Sequence, residues 1–156
     1  MKISYDNEPD DLTEFAEYVR ANLGELMFDS HNVWSNAPAT GLLLVRKGRM
    51  QAELCTFPCG VDIPEHRHPN LDTIEFYVSG DYEILCEGKS LGLPIEKMGS
   101  FMNNRGVRIN AGVLHSAVIG DRGAVFVSCQ RWPDHMKMTS IGKDWAGENY
   151  WPGQGK

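Results

Sequence analysis

The sequence predicts an all-β fold, a barrel or sandwich preceded by a single α-helix. Beyond residue 40, short stretches of β-prone residues recur, each separated from the next by glycine, proline, asparagine or aspartate. Only the N-terminal region departs from this pattern, because its apolar residues repeat at helical spacing.

Leu12, Phe15, Ala16, Val19 and Leu23 fall on one helical face, Asp11 followed by Glu14 resembles a capping box, and Gly24 is suited to end a helix. A helix is therefore predicted over about residues 11–23, packed across the outside of a sheet. Strands are predicted at 41–46, 50–57, 73–78, 82–87, 107–109, 116–119 and 124–131. The interruptions at 46–49, 79–81, 87–89 and 120–123 each contain a glycine, which supplies the positive φ that tight turns require. This gives a barrel over about residues 40–132 and a tail at 133–156. From residue 141 the tail holds Trp145, Tyr150 and Trp151 without periodicity. It is expected to pack on the barrel or to serve a dimer contact. The chain shows no repeat or linker, and its 156 residues suit one domain.

Fifteen basic and 21 acidic side chains give a formal charge of −6 without a basic stripe, which argues against a nucleic-acid partner. The apolar runs are far shorter than the roughly 20 residues of a membrane-spanning helix. The N-terminus turns acidic at once and lacks a secretory apolar segment, so a soluble, cytoplasmic protein is expected. Cys55, Cys59, Cys86 and Cys129 do not have zinc-knuckle spacing and are expected to be reduced thiols, mostly buried.

The chemistry concentrates between Gly60 and Gly80. His66 and His68, one residue apart, would lie on one side of an extended strand, so both imidazoles can meet one metal ion. His115, beside a later strand, offers a third ligand. Gly60, His66, His68, Thr73 and Gly80 have the spacing of the first cupin motif, glycine, five residues, His-x-His, three or four residues, glutamate, six residues, glycine. Asn110, Gly112 and His115 resemble the core of the second, proline-x-glycine-x2-histidine. The chain thus resembles the cupins, small single-barrel members with a three-histidine site. The resemblance implies a double-stranded β-helix, jelly-roll-like, in one domain. Thr73 stands where cupins usually carry a glutamate ligand, Asn110 replaces the motif proline and Ile119 the closing asparagine. The implied site is therefore three neutral histidines around one divalent ion (iron, zinc, nickel or manganese), similar to cysteine dioxygenase and other three-histidine cupins.

By strand alternation Glu75 and Tyr77 share the face of Thr73, and they are the candidate catalytic residues, with Glu75 as general base or displaced fourth ligand. Arg46, Arg108 and Arg131 are candidates to clamp a substrate carboxylate, although each also reads as a surface charge. Asp72 and Glu65 read as solvated rim charges, and His31 and His135 as structural or exposed. The resulting expectation is a metal-dependent enzyme acting on a small polar molecule, with an iron-dependent dioxygenase as its most concrete form. The alternative is a non-catalytic module binding a small molecule or metal. Unpaired barrel edges and the aromatic tail suggest a homodimer.

Overall fold

The computed structural model describes residues 3–5, 10–36, 38–87, 89–90 and 106–138; the tail aromatics Trp145, Tyr150 and Trp151 lie outside them. The elements are β1 (Ile3–Tyr5), α1 (Asp11–Ala21), α2 (Leu23–Asp29), β2 (Asn32–Asn36), β3 (Ala39–Lys47), β4 (Met50–Phe57), β5 (Asp62–His66), β6 (Asp72–Cys86), β7 (Lys89–Ser90), β8 (Val107–Ile109) and β9 (His115–Arg131), followed by a 3-10 turn at His135–Lys137. The strands form an antiparallel sheet in the order β1-β8-β6-β9-β4-β3-β2, with β5 added to β9 and β7 to β6. Among the described residues no helix is long and apolar enough to cross a membrane.

The long strands β6 and β9 shape the molecule. They pair along their whole length, from Asp72 opposite Arg131 to Cys86 opposite His115, but the register slips between Tyr77 and Ser79 and again between Gly80 and Tyr82. Such bulges bend and twist a strand. The sheet thereby folds into two facing walls, one carrying the first half of β6 with β8, β4 and the second half of β9, the other carrying the remaining halves with β5 and β7. Gly80 sits at the fold with φ +96°, and any side chain there would collide with the Gly123 carbonyl oxygen on β9. The interruptions at 79–81 and 120–123 are thus bends inside continuous strands and not the expected turns. The inward-facing positions change parity across the bend: Tyr77 gives way to Tyr82 and Ile84 on β6, and Ala117 and Ile119 give way to Ala124 and Phe126 on β9.

Both sheet faces are buried. The inner face holds Phe57, Ile84, Ile109, Ile119 and Phe126, with Phe57 and Phe126 stacked at 5.9 Å between centroids. The outer face, with Ala52, Ile74, Phe76, Val127 and Cys129, is covered by Leu12, Phe15, Ala16 and Val19 of α1. Each large apolar side chain buried this way contributes about 1.5–3 kcal/mol.

The helix ends differ from the sequence expectation. Asp10 caps α1, its carboxylate accepting the Thr13 N–H at 2.9 Å, while Asp11 sits inside the first turn. α1 stops at Ala21, Asn22 turns back to hydrogen-bond the Tyr18 carbonyl, and Gly24 falls within α2 and not at a terminus. Cys55 and Cys129 are buried, Cys86 is half-buried and Cys59 is exposed; all four are thiols.

Candidate metal centre and cavity

β5 ends at His66, which pairs directly with His115, the first residue of β9. His68 lies beyond the strand, in the connection to β6, so the two histidines do not share a strand face as alternation predicted. A backbone contact fixes His68 instead: the Gly112 N–H donates to the His68 carbonyl at 2.9 Å. Gly112 adopts φ +83°, so the glycine of the second motif shapes the turn that joins His68 to the approach to His115. The three rings converge, with centroids 4.3 Å apart for His66 and His115, 4.9 Å for His66 and His68, and 5.3 Å for His68 and His115. One ring nitrogen from each lies within 4.8 Å of the others.

The donor chemistry suits a cation. Nδ1 of His66 lies 2.7 Å from the Pro64 carbonyl and Nδ1 of His115 lies 2.9 Å from that of Val113. Carbonyl oxygens only accept, so Nδ1 carries the proton and Nε2 keeps its lone pair, the tautomer of an oriented metal ligand. Burial lowers the pKa of His66, opposed by the Pro64 carbonyl. At His115, burial, reinforced by the charge of His66, lowers it to about 3. At neutral pH these rings are uncharged and can coordinate without releasing protons.

The cluster opens into a cavity with about 590 Å³ of empty space, open mouth included. Ile63, Ile84, Ala117 and Ile119 line the histidine side, and Thr73, Glu75, Ile109, Phe126, Ser128 and Gln130 line the opposite wall. Burial raises the Glu75 carboxyl to about 7. Tyr82 also lines the cavity, and its phenol is raised well above the usual range by burial and then by Glu75, Tyr77 and Cys55. Thr73 Oγ1 donates to the Ile109 carbonyl at 3.4 Å. Tyr77 faces inward as alternation predicts, but it lies in the apolar core and not among the cavity-lining residues. Its hydroxyl donates to the Gly80 carbonyl at 3.0 Å and its ring stacks on Tyr82 at 6.0 Å.

No family model and no curated protein matches the sequence. Solved structures do match in fold. KdgF from Halomonas sp. superposes with a TM-score of 0.53 at 17% identity, over 68% of this chain and 91% of that one. An RmlC-like cupin from Shewanella frigidimarina gives 0.51 at 13% identity, over 66% and 85%. The Cnp3 cupin domain of Schizosaccharomyces pombe gives 0.50 at 15%, over 67% and 71%. The chain has the cupin fold.

Within this cupin barrel the candidate substrate arginines stand elsewhere. Arg108 is buried and binds Asp10 through both terminal nitrogens, at 3.1 and 2.6 Å. Arg131 binds Asp10, Asp11 and Asp72, and Arg46 lies over the Trp132 ring at 5.2 Å. None lines the cavity. Burial of Asp10 opposes its ionisation, but hydrogen bonds from Arg108 and Thr13 and the charges of Arg108 and Arg131 outweigh it and hold its carboxyl far below the carboxylate range. These ion pairs fasten the start of α1 to the barrel. Asp72 is buried in this network and is not a solvated rim charge: it pairs with Arg131 at 2.7 Å and accepts the Ala111 N–H at 2.8 Å, bracing the turn beside His68. Glu65, His31 and His135 are exposed, as expected.

Sequence reasoning missed Tyr82, Ser128 and Gln130. The signal was present as the polar alternations Gln51-x-Glu53 and Ser128-x-Gln130 inside two apolar strands. Both faces of these strands are buried, so alternation alone does not say which face meets the cavity.

Proposed function

We propose that the protein is a metal-dependent cupin enzyme acting on a small polar molecule, with His66, His68 and His115 as metal ligands and Glu75 as the proton-transferring group. The observation that carries this reading is the three buried, converging imidazoles, two of them held at Nδ1 by backbone carbonyls, lining a cavity that contains a carboxyl of raised pKa. A divalent ion on three neutral ligands keeps its full charge and would bind an anionic substrate group or activate oxygen. Glu75, ionising near neutrality, takes and returns a proton at that pH. Tyr82 stays protonated and donates. Tyr77, tied to the Gly80 carbonyl, acts through its stacked partner Tyr82 as a positioning residue.

With iron in the site and oxygen as co-substrate, the reading becomes a dioxygenase. Metal analysis of the purified protein, beside an oxygen-uptake screen on thiols, diketones and aromatic diols, tests this form. Each of His66→Ala, His68→Ala and His115→Ala is expected to lower metal occupancy sharply with an unchanged circular dichroism spectrum, whereas His31→Ala and His135→Ala keep it. Full retention in all three cluster variants would overturn the site. A retained metal with no turnover of any class would favour a ligand-binding module. The same reading includes a homodimer, supported by β2 at the sheet edge, by its exposed Val33 and by the exposed Phe28 of α2.

A further inference from the structure

We propose that the cavity wall opposite the histidines selects the substrate, with Ser128 donating its hydroxyl hydrogen to an uncharged acceptor oxygen on the part of the substrate that faces this wall. This rests on the histidines being the metal end.

A buried polar cluster continues this wall from β9 onto β4, where Gln51 pairs with Gln130 and Glu53 with Ser128. Gln51, Glu53 and Gln130 are each at most 2% exposed. Gln51 Nε2 donates to Glu53 Oε1 at 3.1 Å and to Gln130 Oε1 at 2.6 Å, and Gln130 Nε2 donates to Glu53 Oε2 at 3.1 Å. Both carboxylate oxygens accept, so both amides must turn their NH₂ groups toward Glu53; flipping Gln130 would set its oxygen against that carboxylate. The second Gln130 hydrogen goes to Ser128 Oγ at 3.2 Å. Ser128 is therefore an acceptor toward Gln130, and its own hydrogen meets no acceptor among the described residues. The residue is 3% exposed and lines the cavity. A buried hydroxyl left in that state is costly, and an acceptor atom of a ligand relieves the cost.

Charge defines the acceptor. Among the described residues no lysine or arginine lines the cavity, while Glu75 stands directly across from Ser128 in the strand register. A carboxylate facing this wall would meet the Glu75 carboxyl and, among the described residues, no counter-charge. Thr73 has directed its hydrogen to Ile109 and offers only lone pairs. A carboxamide fits this wall, its carbonyl toward Ser128 and its NH₂ toward Thr73 or Glu75.

Three acids of equal chain length test the wall: butyrate, succinamate and succinate, titrated calorimetrically into the zinc-loaded protein. Succinamate is expected to bind about tenfold tighter than butyrate, and succinate weakest. Ser128→Ala should bring succinamate to within about twofold of butyrate and leave butyrate unchanged, whereas Ser128→Thr keeps the preference. Equal affinities in the unmodified protein, tightest binding of succinate, or an undiminished preference in Ser128→Ala would each overturn the inference. The order in the unmodified protein decides the matter even if Ser128→Ala does not fold. The zinc isotherm reports separately on the histidines. If zinc does not bind, the metal reading falls, and the same acids on metal-free protein still test the wall, where loss of the succinamate preference counts against it.

Discussion

Replacing Glu75 by glutamine should stabilise the metal-free protein at pH 8 and change it little at pH 4.5. Burial lifts this carboxyl from 4.5 to about 7. Below 4.5 the group is protonated in both the folded and the unfolded chain and contributes nothing. As pH rises, the unfolded chain ionises first, so the folded state loses stability until about pH 7, after which the loss is constant. At roughly 1.4 kcal/mol per pH unit, a displacement of about two and a half units costs on the order of 3 kcal/mol. Glutamine has nearly the same shape and no proton to lose. With a urea dependence of about 2 kcal/mol per molar, the unfolding midpoint at pH 8 should rise by about 1–2 M. Urea titrations of both proteins at the two pH values measure it directly. Added zinc should shrink the difference, since a nearby cation favours the ionised carboxyl. A variant no more stable than the parent at pH 8 would mean that Glu75 ionises freely, and its assignment as a base near neutrality would fail.

Two further outcomes are expected. Asp72→Ala leaves the Ala111 N–H unpaired while Arg131 keeps Asp10 and Asp11, so a loss of about 2–3 kcal/mol, or about 5–10 °C in melting temperature, should accompany weaker zinc binding. Asp72→Asn, which retains an acceptor, should lose less; a loss below about 1 kcal/mol for alanine, read from thermal melts, would show the carboxylate to be redundant. Thr73→Glu places a carboxylate at the position where cupins usually carry one and should raise the affinity for manganese while lowering turnover, as calorimetry and assay would show. If Glu75 were already a fourth ligand, Thr73→Glu would gain nothing and Glu75→Gln would weaken metal binding.

Much of the barrel was legible because its information is local. The stretches at Met50–Phe57 and Val107–Ile109 carry their strand limits in flanking turn residues, and the structure begins and ends them there. The cupin architecture followed from the spacing of Gly60, His66, His68, Gly80 and Gly112, three of which are glycines with positive φ. The bends were less legible, since a glycine that ends a strand and one that folds it across a bulge look alike in sequence. Gly80 and Gly123 do the latter because each strand keeps its partner through the bend.

The sequence by itself determined which residues can carry the chemistry: three histidines at cupin spacing, a threonine in place of the usual carboxylate, and Glu75 two residues further on. Those are covalent facts about side-chain type and order. Tertiary structure alone decided how they are used. It placed His68 off the strand and secured it through Gly112, withdrew Arg46, Arg108 and Arg131 from the cavity, and turned Tyr82 inward past the bend at Gly80 to line the cavity while Tyr77 stays in the apolar core. The reason is physical. Residue type sets what a group can donate, accept or ligate, whereas burial, pairing and protonation depend on neighbours far along the chain, as with Asp10 and Arg108, 98 positions apart.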